Sequence, residues 1–120
     1  MIPEWDKAES FHAFFPASEG FAAFAADIMP FSAAKPVPQL FEPGVGYDRS
    51  NSIVESGIAQ ILVGKIGEKR DGVSSAWDQL VESLSKEGDV KTWIGFGIDN
   101  AEGKWAGLLG WDSVEVCACL

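Results

Sequence analysis

The chain is poor in residues that do chemistry. It has one histidine, His12, one tyrosine, Tyr47, and two cysteines, Cys117 and Cys119, at its very end. On a helix, cysteines two positions apart point to different sides, and a disulfide between them would be strained. Neither metal-finger spacing nor a redox C-x-x-C occurs, so a pair of free thiols in a reducing compartment is expected. Basic residues are scarce as well. Nine Lys and Arg stand against eighteen Asp and Glu, for a formal net charge of −9. The densest basic patch is Lys65, Lys69 and Arg70, too small to reverse that field. Nucleic acid and anionic membrane are therefore poor partners, and the acidity reads as a solubility feature. No apolar run approaches bilayer-spanning length. The opening Met-Ile-Pro-Glu-Trp-Asp lacks the basic and apolar regions of a signal peptide, so a cytoplasmic protein is expected.

What is present is apolar and aromatic. At 47% hydrophobic and 12% aromatic, the 120 residues can bury enough surface to fold, as one α+β domain with a single core. Phe11, Phe14 and Phe15 follow helical spacing before Pro16. Phe21, Phe24, Ala25 and Ile28 repeat it between Ser18 and Pro30, which makes residues 5–29 a helical segment. The phenylalanines read as packing against a sheet rather than as a ligand wall. Residues 37–41 alternate, but Pro36 and Pro38 confine any strand there to an edge. Residues 42–56 form the one long loop, which holds Tyr47, Asp48 and Arg49.

From Gly57 the pattern sharpens. Residues 57–66 are β-branched and apolar enough for the middle of a sheet. Asp71 can cap a helix to Glu87, with Val73, Trp77, Leu80, Val81 and Leu84 on one face and Gly88 as the stop. Val90, Thr92, Ile94, Phe96 and Ile98 alternate toward a core. Residues 100–103 read as a hairpin turn with Gly103 at positive φ. The return strand carries Trp105, Gly107 and Leu109 on one face, and residues 112–120 start a further helix. Helices cover one face, so the other, with Trp93, Trp105 and Leu109, needs a partner. Gly95, Gly97 and Gly107 lie inside strands, where they let a tryptophan or a ligand approach the sheet.

Trp111-Asp112-Ser113-Val114-Glu115 echoes Trp5-Asp6-Lys7-Ala8-Glu9: both read W-D-x-x-E at a helix start. Rotated to begin at Gly57, the order becomes β-α-β-β-α-β, the ferredoxin-like unit in circularly permuted order, with two helices on one face of an antiparallel sheet. The strand pair followed by G-W-D-S-V-E at Gly110–Glu115 resembles the dimeric α+β barrel superfamily, above all its stress-responsive fungal and plant members. Residues 57–115 match in normal order, and residues 5–41 supply the remaining helix and strand. The resemblance implies a fungal source and a homodimer whose sheets pack face to face. It also implies a ligand cleft, here Trp93, Trp105, Leu109 and Trp111, for a small apolar or aromatic molecule. Members that cyclise polyketides use a His and a Tyr near the cleft, and many carry His two residues past the motif's Glu. That position is Cys117 here, and in the earlier echo it is Phe11, with His12 one step later. The catalytic pattern is therefore not carried over.

General acid–base chemistry would fall to His12, with Asp27, Glu9 or Tyr47. No HExxH or other metal-ligand constellation occurs, and no cofactor is implied. Three readings stay open. The first is a non-catalytic binding or interaction protein with an aromatic cleft, favoured by the missing acid–base set. The second is a small cofactor-free enzyme, cyclase- or oxygenase-like, using His12 or Tyr47. The third is a fungal immunomodulatory or defence protein acting on other cells.

Overall fold

The computed structural model describes residues 3–35, 37–48, 50–66 and 70–112. By contacts the chain divides into a helical unit, Pro3–Pro38, and a sheet unit from Gln39 onward. In the helical unit, α1 spans Ala8–Phe14 and α2 spans Glu19–Ile28, followed by a single 3-10 turn at Met29–Phe31 that contains Pro30. Ser18 joins the two helices. Its hydroxyl donates to the carbonyl of Phe14, 2.5 Å away, and accepts from the amide of Phe21 at 3.0 Å, an N-cap contributing about 1 kcal/mol. The hydroxyl of Ser10, within α1, donates to the carboxylate of Asp6 just ahead of the helix and lowers its pKa. The phenylalanines pack on one another: Phe11 stacks on Phe15 at 5.5 Å, and Phe21 meets Phe15 edge-on at 4.8 Å.

The sheet unit holds β1 (Leu40–Pro43), a short helix α3 (Asn51–Val54), β2 (Ile58–Lys65), α4 (Arg70–Ser85), β3 (Lys91–Ile98) and β4 (Lys104–Trp111). The strands form one antiparallel sheet in the order β1-β3-β4-β2. β3 and β4 are a hairpin, closed by a 3-10 turn at Asp99–Ala101 and by Gly103 at φ +85°, the positive φ expected there. The result is an α+β fold compatible with a ferredoxin-like architecture. β2 and β3 run parallel with β4 between them and α4 as their crossover, a split βαβ unit. β1 lies beside β3, whereas a last strand carried round from β4 in the rotated order would flank β2.

Several sequence expectations need correction. β2 is an edge strand, not a middle one. Its apolar run conceals a strict alternation, with Ala59, Ile61, Val63 and Lys65 exposed and the residues between them half-buried. The hairpin takes the centre because both of its strands bury residues on both faces. β1 begins at Leu40, opposite Ile98, rather than at residue 37, because pairing needs amide donors and Pro38 has none. The loop at 42–56 contains the end of β1 and α3, whose Ile53 is 1% exposed. Trp111 does not start a helix; it ends β4, opposite Ile58. The rest of the expected helix, with Cys117 and Cys119, falls outside the described residues, as does Arg49.

The largest correction concerns the faces. Paired residues of antiparallel strands share a face, so Ile94, Phe96, Trp105, Leu109 and Trp111 look one way, while Trp93, Ala106 and Leu108 look the other. Trp77 and Leu84 of α4 close the first group into the main core. Trp105 and Leu109 are therefore on the helix-covered face, not the open one. Trp93 packs on the opposite face with Ala106, Leu108 and Ile53 of α3.

Candidate functional site

Helical spacing places Val73, Ala76, Trp77 and Leu80 along one stripe of α4, and the pleat of β2 turns Leu62 toward that stripe. Between them, with Gly72 and Trp105, lies an open cavity of about 370 Å³. Two indoles shape it. Trp105 lies flat across β2, where a Cβ on Gly64 would come within 2.5 Å of its Nε1, and Trp77 presses its six-membered ring onto Gly107, where a Cβ would sit 2.5 Å away. Strand glycines thus admit tryptophan to the sheet, one of the two roles expected of Gly107. The rings of Trp77 and Trp105 meet at 6.3 Å and 57°. Leu80, 38% exposed, stands at the solvent side of the lining.

All seven lining residues are apolar, so the cavity offers shape and dispersion rather than a proton donor or acceptor. Trp77 carries a buried Nε1–H that has no partner among the described residues. Two other indole donors are satisfied. Trp111 donates to Gln60 Oε1 at 2.5 Å, and Trp93 donates to the carbonyl of Asp48 at 3.0 Å. Beyond the cavity, Arg70 at the start of α4 pairs with Glu42 of β1 at 3.2 Å and lies 4.0 Å above the Phe96 ring. The pair is half exposed, so it orients the helix more than it stabilises it.

Of the expected cleft residues, only Trp105 lines the cavity. Leu109 and Trp111 lie in the core on the same face, 3% and 1% exposed, and Trp93 is on the other side of the sheet. Trp93 folds over Gly95 of its own strand, again filling the room a strand glycine leaves. Tyr47 is partly buried against both core clusters, and neither it nor His12 lines the cavity. His12 is exposed on α1, with its ring 5.7 Å from Phe11. The other six liners, Leu62, Gly72, Val73, Ala76, Trp77 and Leu80, are not among the expected cleft residues. The alternation within β2 was the signal that could have pointed Leu62 at the helix.

Among the described residues no group of three or more His, Cys, Asp or Glu side chains could hold a metal ion, and no helix is long and apolar enough to cross a membrane. No protein-family model, curated protein or solved structure matches the chain.

Proposed function

We propose that this is a non-catalytic binding protein, which takes a small apolar or aromatic molecule between α4 and the β2–β4 side of the sheet and works as a homodimer. The almost entirely apolar lining of the cavity carries the reading. Its volume falls at the low end for small-molecule sites, which suits a compact ring system or short aliphatic chain. The two indoles supply flat, polarisable walls for such a ligand. The homodimeric part is supported by Ile61 and Val63, 57% and 56% exposed on the face away from α4. A dimeric α+β protein of the stress-responsive kind is the frame that fits both parts.

Native mass spectrometry of protein taken directly from its source tests the ligand. The expected outcome is a bound small molecule, together with enhanced emission of an apolar naphthalene-sulfonate dye added to stripped protein. Gly72→Leu sharpens the test, because a Cβ at Gly72 meets nothing within 4 Å and the longer side chain would occupy the cavity. Dye and ligand binding should be lost while stability holds or rises, by up to about 1 kcal/mol from helix propensity. A bare protein whose dye signal ignores this substitution would sink the reading.

A further inference from the structure

The two edges of the sheet are built differently. β1 offers only four residues to solvent, among them the charged Glu42 and Pro43, which has no amide hydrogen. Those are the devices that blunt an edge against further pairing. β2 offers eight residues, Ile58–Lys65, with no proline and a single charge at its end. Among the described residues nothing pairs with its outer side. The amide of Ile66 donates to the carbonyl of Gly103, at 2.7 Å, toward β4. Because strand amides alternate in direction, the even-numbered residues of β2 serve β4 and the odd-numbered ones, Ala59, Ile61, Val63 and Lys65, address the open edge.

We propose that this edge is the seam of the homodimer: β2 pairs antiparallel with β2 of a second copy about a two-fold axis at Leu62. The inference rests on the homodimeric part of the proposed function and puts an edge-to-edge seam in place of the face-to-face packing that the family resemblance implies. Antiparallel partners must share a face, so only registers that oppose odd residues to odd residues keep both sheets in phase. Centring on Leu62 opposes Ile61 to Val63 and Ala59 to Lys65, each pair occurring twice, and engages all four outward residues of both strands. An isologous contact requires this self-complementarity. It also extends an apolar stripe. Leu108 and Ala106 of β4, buried and paired with Ile61 and Val63, would continue across the seam into the same residues of the partner. An unrelated extended peptide could satisfy the amides, but it would not reproduce the Ile–Val pairing in both directions. Each copy carries −9, so the dimer should tighten as salt is raised.

Sedimentation equilibrium of the full chain and of Val63→Pro tests the seam. The proline removes an outward amide and leaves the ladder to β4 intact, so the variant should fold, as far-ultraviolet circular dichroism will verify, with dimer association weakened at least about 30-fold. If it does not fold, Val63→Lys, at an exposed position, is read in its place. Leu62→Cys in a Cys117→Ser, Cys119→Ser background should cross-link spontaneously, because non-hydrogen-bonded partners approach to about 4.5 Å between Cα atoms, within disulfide reach. A dimer that neither variant disturbs and that does not cross-link overturns the seam while leaving the homodimer standing. A chain that stays monomeric at high concentration and high salt overturns both.

Discussion

The two faces of the sheet have similar apolar content and opposite fates. Toward α4, Trp111, Ile94, Phe96 and Leu109 are each at most 3% exposed, sealed by Trp77 and Leu84. On the other face, Trp93, Ala106 and Leu108 are buried under Ile53, while Ile61 and Val63, one strand away, are more than half exposed. The difference lies in the neighbours rather than the residues. Among the described residues of the sheet unit, a sixteen-residue helix covers one face and the four-residue α3 packs on the other. The helix-covered face therefore holds the larger buried cluster, and Ile61 and Val63 stay exposed on the opposite one.

That contrast can be broken by substitution. Trp111→Ala should cost about 3–5 kcal/mol in urea-induced unfolding, since it empties a core position and removes the donor to Gln60. Ile61→Ser, equally apolar at the start, should stay within about 0.5 kcal/mol of the parent when unfolding is followed at concentrations low enough to keep the chain monomeric; comparable losses at the two sites would erase the distinction between the faces. A smaller effect is expected at Gly107→Ala. The new methyl would press on Trp77 from the sheet side, costing about 1–3 kcal/mol and shifting the emission of the buried indoles. Glu42→Gln should also have little effect, under about 1 kcal/mol and nothing measurable in high salt, because Arg70 keeps its contact with Phe96.

Local pattern is legible in this sequence, and placement in the sheet is not. The α4 face, the hairpin with Gly103 at positive φ, and the start of α2 just after Ser18 all follow from spacing and turn chemistry within a few residues. The position of β2 did not, because an apolar run suits a central strand and an association-competent edge equally. Only pairing partners decide, and those lie some fifty positions away, as Gln60 and Leu109 do. Trp93 and Trp105 were assigned one face for a related reason. Alternation fixes faces within a strand, but the register across a hairpin depends on the length of its turn. The 3-10 turn at Asp99–Ala101 sets Phe96 opposite Trp105 and sends Trp93 to the far side. The cavity was illegible because it belongs to the fit between α4 and the sheet, which no single segment encodes.

The closeness of Trp77 and Trp105 has an optical consequence. Two indoles 6.3 Å apart and inclined at 57° couple their electronic transitions, and a coupled, non-parallel pair gives a two-signed circular dichroism band that neither ring produces alone. One indole rides on α4 and the other on β4. The protein thus has a built-in gauge of the distance between helix and sheet, readable without a label, whose signal would fade if that gap were to widen.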